Sequence, residues 1–105
     1  MDTTFENPFY NFIIYEKINT IDVYNKFINW VSGVFDLYQM EELDGLKVYY
    51  PNGWFSITIL SEGEKDLNIV IKIKSKTLDS GLNMEAQIKS IYSHLNQIAE
   101  NSGKS

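Results

Sequence analysis

The stretch LDGLKVYYPNGWFSITILSEGEKDLNIVIKIKS, residues 43–75, decides the fold. Apolar and polar side chains alternate in three runs, 46–50, 54–60 and 67–75, and this period of two is typical of strands with one buried face. Two short polar connections separate the runs, and the first contains Asn52-Gly53, which tolerates the positive φ of tight turns. These features predict an antiparallel three-stranded meander.

Further elements are predicted on both sides of the meander. Residues 9–18 are rich in aromatic and β-branched side chains, which predicts another strand. A helix follows, with Thr20 as its N-cap, and it is expected to be over by about Asp36 to Tyr38. A second helix follows the meander. The predicted apolar stripes of the two helices are Val23, Phe27, Trp30, Val31 and Val34 in the first, and Met84, Ile88, Ile91, Leu95 and Ile98 in the second.

The predicted order of elements is therefore β-α-β-β-β-α. A sheet with one apolar face can bury two helices with one apolar stripe each, which gives an α+β two-layer sandwich with both helices on one face of an antiparallel sheet. The 105 residues fit a single domain, 1–105. Residues 1–8, closed by Asn7-Pro8, are expected to form an N-terminal arm, and the polar residues 100–105 a flexible tail.

The composition limits the classes of function. Hydrophobic residues make up 44% of the chain, enough for a core rather than disorder. Cysteine is absent, which excludes disulfides and thiol chemistry and favours a reducing compartment, so a cytoplasmic location is predicted. No secretion signal is expected near the N-terminus, and no run approaches the roughly 18 apolar residues of a membrane span.

The charge of the chain argues against polyanionic partners. The net charge is −5, and all nine basic residues are lysines. Affinity for nucleic acids and anionic membranes comes mostly from Lys and Arg contacts to phosphate groups. We therefore predict no binding to nucleic acid and no binding to membranes.

No catalytic, cofactor or metal site is predicted. The one histidine, His94, lies beside the apolar stripe of the second helix without a motif partner, which favours a surface position. No nucleophile elbow or phosphate loop is present. Two acidic groups are interpreted as a charged loop and a solvated turn, because neither has the spacing of a calcium loop or a visible acid–base partner. These groups are Glu41, Glu42, Asp44 and Glu62, Glu64, Asp66.

Two short motifs carry a family resemblance. LDGLKV at 43–48, followed by NGW at 52–54, resembles the Asp-Gly-[Val/Leu/Ile]-Lys and Asp-Gly-Trp segment in the C-terminal domain of phosphoglucomutases and phosphomannomutases. That family also has a strand and a helix before this segment and a helix after it. The resemblance covers residues 10–100 and implies a TBP-like fold.

The chain departs from that family where the family binds the substrate phosphate. There the strand after the Trp leads into an Arg-Pro-Ser-Gly-Thr-Glu-Pro loop, whereas this chain has TILSEGE at 58–64. Thr58 replaces the Arg, and Glu62 and Glu64 would repel an anion. The catalytic serine and metal ligands of the family belong to other domains. The resemblance thus implies the fold without its phosphate site, and no phosphosugar binding is expected.

One surface is predicted to bind a partner. If Val48, Ile57 and Ile71 face the helices, the other face of the sheet carries Lys47, Tyr49, Trp54, Ser56, Thr58, Val70, Lys72 and Lys74. Exposed aromatic rings beside polar groups are typical of interfaces. The alternative is a solvated face whose lysine stems cover the rings. The predicted contact residues for a protein partner or a second copy of the chain are Lys47, Tyr49, Trp54, Lys72 and Lys74.

Two functional hypotheses follow. The first is a non-catalytic, stand-alone binding or accessory module with the fold of the mutase C-terminal domain. The second is an acidic interaction domain of unrelated origin, such as an inhibitor or immunity-type protein that neutralises a basic partner. A small-molecule enzyme is the least supported class, because the sequence shows no nucleophile–base pair, metal ligands or phosphate cradle.

Overall fold

A computed structural model describes residues 2–42 and 44–102 of the chain. The elements in chain order are β1 (Asp2–Glu6), β2 (Phe9–Ile18), α1 (Ile21–Val34), β3 (Gln39–Glu41), β4 (Leu46–Tyr50), β5 (Gly53–Glu62), β6 (Leu67–Ser75) and α2 (Leu78–Ser102). The predicted α+β domain, with an antiparallel sheet and two helices, is confirmed.

The strands form one six-stranded sheet in the order β1-β2-β6-β5-β4-β3, and every neighbouring pair is antiparallel. The predicted meander corresponds to β4, β5 and β6. The last strand, β6, occupies the middle of the sheet, because β2 pairs with its free side. Phe12 and Phe55 therefore lie on either side of Ile73 in the register.

Both helices pack on one face of the sheet. Alternate residues of β2, β4, β5 and β6 form a single buried cluster with the inner sides of α1 and α2. The predicted inward positions Val48, Ile57 and Ile71 are all fully buried in it. Each large apolar side chain removed from water in this way contributes about 1.5–3 kcal/mol to the stability of the fold.

Helix α1 begins as predicted, and Phe27 and Val31 of its predicted stripe are buried. The Thr20 Oγ1 atom accepts a hydrogen bond from the Val23 backbone N–H at 3.1 Å, so Thr20 is the N-cap. Trp30 and Val34, predicted to be buried, are instead exposed. The residue after each of them is buried in the core. Successive residues of a helix are about 100° apart around its axis, so Trp30 and Val34 point away from the core. The buried positions are Tyr24, Phe27, Val31 and, just after the helix, Phe35.

Helix α2 buries Met84, Ile88, Ile91 and Leu95 as predicted, whereas Ile98 is 46% exposed. The helix also passes very close to β2, since a Cβ added at Gly81 would lie 2.2 Å from the Phe12 ring. It continues to Ser102, so the predicted tail at 100–105 is helical in its first half. Residues 103–105 lie outside the described part of the chain.

The predicted element order lacked two strands. Residues 2–6, predicted to belong to an arm, form β1 and pair with β2 across a turn that contains the cis Asn7-Pro8 bond. Residues 39–41 form β3 against β4. Both are short edge strands, and most of their side chains are exposed. Because backbone pairing rather than side-chain burial holds them, they carry no clear alternation in the sequence. The observed order is β-β-α-β-β-β-β-α.

Candidate functional site

The face of the sheet opposite the helices is open, and the predicted contact residues lie on it in two neighbouring rows. In antiparallel strands, residues paired in the register share a face. One row across the strands contains Thr4, Asn11, Lys74, Trp54, Tyr49 and Gln39. The next contains Ile13, Lys72, Ser56, Lys47 and Glu41. The structure therefore brings together all five predicted residues, hereafter the aromatic–lysine face: Lys47, Tyr49, Trp54, Lys72 and Lys74.

The Trp54 ring is the centre of this face. The Lys47 ammonium lies 4.3 Å from the Trp54 ring centroid and 5.0 Å from that of Tyr49. The Lys74 ammonium approaches from the other side, at 5.7 Å from Trp54 and 5.9 Å from Phe9. These distances are within the roughly 6 Å reach of a cation–π contact. Trp54 and Tyr49 are half-buried, so each ring keeps an accessible surface between lysine stems.

A groove of about 270 Å³ runs beside the Trp54 ring, toward β2 and β1. Thr4, Glu6, Asn11, Lys72 and Lys74 contribute polar groups to its lining. The Asn11 Nδ2 atom is covered, and within the described residues it has no hydrogen-bond partner. A covered amide left unpaired costs about 1–3 kcal/mol.

Sequence reasoning missed this half of the face. Asn11, Thr4 and Phe9 were not predicted as site residues, because the arm was not recognised as a strand and the sequence does not show that β2 adjoins β6. One signal was present. In the strand at 9–18, Asn11 is an amide within an otherwise aromatic and β-branched run, and such a residue needs a reason to stay in a strand.

Acidic residues border the aromatic–lysine face, with Glu6 in the groove and Glu41 opposite Lys47 in the register, but none of them is seen in an ion pair with these lysines among the described side chains. Among the described residues, the ion pair within 4.0 Å joins Lys89 to Glu85 on α2. Lys47, Lys72 and Lys74 are thus without a carboxylate partner, although the chain has 14 acidic residues and nine lysines. The positive charge of the face is therefore available to a ligand.

The other residues considered in the sequence have simpler surroundings. His94 is exposed and packs edge-on against Trp30, with ring centroids 5.1 Å apart. Across residues 2–42 and 44–102, no group of three or more His, Asp or Glu side chains is placed to hold a metal ion. Glu62 and Glu64 are exposed at a hairpin that is closed by a 2.8 Å bond from the Gly63 N–H to the Asp66 carbonyl.

Two depressions lie outside the aromatic–lysine face. One, of about 480 Å³, is lined by Tyr24, Asn25, Ile28, Glu42 and Asp44, and it has acidic character. Burial raises the pKa of the Tyr24 hydroxyl there. The other, of about 510 Å³, lies near Tyr92. The Tyr92 hydroxyl donates to the Lys17 carbonyl, and burial is the main cause of its raised pKa.

The residues that carry the family resemblance have evident structural uses in this chain. Asp44 and Gly45 have positive φ angles of 58° and 127° in the turn before β4. Gly53 has a φ of 157°, and a Cβ there would lie 1.9 Å from the Lys74 carbonyl oxygen. Hairpin geometry alone therefore favours these residues. Leu43, the first residue of the motif, lies outside the described residues.

No protein-family model matches this chain, and no curated protein sequence matches it significantly. In the described part of the chain, neither helix combines the length and the apolarity needed to cross a membrane.

Proposed function

We propose that this protein is a non-catalytic binding module and that its aromatic–lysine face contacts another protein. The observation that carries the proposal is the position of Trp54. Its ring lies between the ammonium groups of Lys47 and Lys74, on a face that neither helix covers. A tryptophan on the solvent side of a central strand contributes less to the fold than one in the core, whereas it is among the strongest residues at interfaces.

The arrangement also fits the anatomy of an interface. Tyr49 and Trp54 are paired across β4 and β5, and the Lys47 ammonium lies within 5.0 Å of both ring centroids. Lys47 and Lys72 border these two residues in the next row. Rigid aromatic residues at the centre and mobile charged residues at the rim are typical of protein contacts.

We also propose that this chain has the TBP-like fold of the phosphohexomutase C-terminal domain without its phosphate site. Two features support this proposal. The first is the meander between two helices, and the second is the set of residues and hydrogen bonds in the segment 58–64. Ser61 accepts a hydrogen bond from Asn68 at 3.0 Å, and the Gly63 N–H is used within the turn. Two exposed carboxylates, Glu62 and Glu64, would oppose a phosphate group there.

An NMR titration with glucose 1-phosphate tests this part of the proposal. We expect no chemical-shift changes at residues 58–64 and no mutase activity. The carboxylates in this segment would repel the phosphate group of the ligand rather than bind it. Saturable shifts confined to these residues would contradict it.

A second candidate function is the inhibitor or immunity-type protein that neutralises a basic partner. The acidic depression beside Tyr24 favours it, because Glu42 and Asp44 lie there on the helix side of the β4–β5 end. This candidate predicts that E42Q/D44N, and not changes on the aromatic–lysine face, weakens the complex.

A comparison of matched variants decides between the two. K72Q/K74Q removes two charges from the aromatic–lysine face, and K26Q/K65Q removes two exposed charges elsewhere, so both proteins have the same net charge. We expect a partner isolated from native extract to bind wild type and K26Q/K65Q equally and to lose affinity for K72Q/K74Q. W54A is expected to weaken the complex by about 2 kcal/mol or more, measured by calorimetry. Equal affinity of all these proteins for the partner would refute the proposed surface.

A further inference from the structure

We propose that the partner contributes an extended acidic segment and that one of its carboxylates binds in the groove formed by Asn11, Lys72 and Lys74. This inference rests on the proposed function and specifies the chemistry of the partner.

Several hydrogen-bond donors line the groove, together with the carboxylate of Glu6. Asn11 pairs in the register with Lys74 on one side and with Thr4 on the other, and Lys72 is the next residue along the same face of β6. Two ammonium groups, an amide N–H₂ and a hydroxyl therefore line one groove. A carboxylate has two oxygens that each accept more than one hydrogen bond, so it suits such a set of donors.

The state of Asn11 supports a ligand at this position. Its Nδ2 atom is covered, yet no described residue accepts a hydrogen bond from it. Lys72 and Lys74 line the same groove, and a lysine side chain has several rotatable bonds, so a change of rotamer toward an incoming anion would open a path to the amide. An acceptor in the groove would then remove the cost of an unpaired polar group.

The spacing of the lysines fits a strand-like ligand. Lys72 and Lys74 are two residues apart on β6, which corresponds to about 6.7 Å, and β4 with Lys47 is two strands away, about 9.6 Å. An extended segment with acidic residues at alternate positions presents carboxylates at the same spacing of about 6.7 Å. Its residues in between would point away from the sheet, and its backbone would pass close to Trp54.

Charge and shape disfavour the other polyanionic partners. Glu6 in the groove and Glu41 on β3 border the positive rows on both sides. A long phosphate backbone that crosses the sheet would meet these carboxylates as well as the net charge of −5. A second copy stacked face to face would place lysines against lysines, which opposes self-association through this face.

The probe for the experiment is a synthetic peptide of about nine residues that alternates Glu and Thr, long enough to run along the whole of β6, on which Lys72 and Lys74 lie. The matched control peptide alternates Gln and Thr, and an oligothymidylate of similar charge represents nucleic acid. In a W30F background, Trp54 is the remaining tryptophan, so its fluorescence reports on the groove directly.

We expect the Glu–Thr peptide to bind saturably and at least about tenfold more tightly than the Gln–Thr peptide at low salt, with affinity falling as salt is added. N11A should lower the affinity about tenfold, since it removes one hydrogen bond to a charged group. Its melting temperature should be unchanged or higher, because the unpaired amide is also removed. K72Q/K74Q should weaken binding more than K26Q/K65Q.

Several results would overturn the inference. They are equal binding of the two peptides, an affinity unaffected by N11A, tighter binding of the oligothymidylate, or dimerisation through this face in sedimentation experiments that W54A abolishes. If the natural partner loses affinity for K72Q/K74Q and W54A while the Glu–Thr peptide fails to bind, the inference fails and the proposed function stands. If the partner ignores these substitutions, the proposed function itself fails.

Discussion

Ile13 and Ile14 are neighbours on β2, and they lie on opposite faces of the sheet. Ile14 is 3% exposed in the core beneath the helices, whereas Ile13 lies on the open face beside Lys72. The covered face is almost entirely aliphatic and aromatic, because any polar group there would lose its water. The open face combines lysines, aromatic rings and an amide, a mixture that packing does not require.

This difference separates two kinds of information in one sheet. On the covered face, residue types follow from burial and therefore report the fold. On the open face, burial places few limits on the residue types. An unusual composition there therefore indicates contacts with a partner rather than with the protein's own core. The four experiments below test how far that separation extends.

The largest effect is expected from truncating the two neighbouring isoleucines. I14A should lower the free energy of unfolding by about 2–5 kcal/mol, because it leaves a cavity in the core. I13A should cost less than about 1.5 kcal/mol, since Ile13 is only partly removed from water. Urea unfolding of both variants measures the contrast, and equal losses would show that the open face is packed as firmly as the covered one.

A smaller effect is expected where α2 crosses the covered face. Alanine at Gly81 would meet the buried Phe12 ring, so G81A should destabilise by about 1–3 kcal/mol despite a helix-propensity gain of about 1 kcal/mol. Gly33 in α1 has open space around its Cβ position, so G33A should stabilise by about 0.5–1 kcal/mol. Thermal unfolding should show shifts of opposite sign, and stabilisation by G81A would refute the close helix–sheet contact.

Two neighbouring tyrosines extend the comparison to hydrogen bonding and pH. The buried Tyr50 hydroxyl donates to the Lys74 carbonyl at 2.9 Å, so Y50F should cost about 0.5–1.5 kcal/mol at neutral pH, whereas Y49F should cost little. Burial raises the pKa of Tyr50 above the usual tyrosine value of about 10. Its stabilising contribution is therefore present below about pH 10 and is lost as the pH rises through the folded-state value.

Urea unfolding at a series of pH values between about 8 and 11 checks this sign. As the pH rises, the free energy of unfolding should decline less steeply in Y50F than in wild type. Part of the decline should remain in Y50F, because burial also raises the pKa values of Tyr24 and Tyr92. An equally steep decline in Y50F would show that Tyr50 deprotonates alike in the folded and unfolded chains.

The smallest effect on stability is expected at the centre of the open face. W54A removes the cross-strand neighbour of Tyr49 and the cation–π contacts with Lys47 and Lys74, and we expect a loss of about 1 kcal/mol. Chemical denaturation of the variant measures this loss. A loss of several kcal/mol would mean that Trp54 is part of the structural framework, and its use as an interface anchor would lose its main support.

The sequence predicted strands and helices correctly where apolar side chains recur at the period of an element with one buried face. The alternation in 46–50, 54–60 and 67–75 gave β4, β5 and β6 with the correct face inward, and Met84, Ile88, Ile91 and Leu95 gave the buried stripe of α2. The prediction failed for β1 and β3, since short edge strands are held by backbone pairing that leaves little trace in the sequence.

The same limit explains what was predicted of the candidate site. Lys47, Tyr49, Trp54, Lys72 and Lys74 could be grouped because all lie within the meander, where short turns fix the register. The groove beside Asn11 could not be predicted, because it depends on which edge of the meander β2 joins, and that choice is made by tertiary packing between distant parts of the chain.

The central position of β6 also has a consequence for the order in which the fold can form. In the order of the described strands, β6 lies between the β1–β2 hairpin and the β3–β4–β5 unit and pairs with both. The nearest pair between β2 and β6, Ile18 with Leu67, already encloses all of residues 19–66. Closing so long a loop lowers the entropy of the chain before the contacts between β2 and β6 can form and offset that loss. In a chain growing on the ribosome, the two parts of the sheet therefore cannot be joined, and their apolar faces cannot be covered as one core, until β6 has emerged.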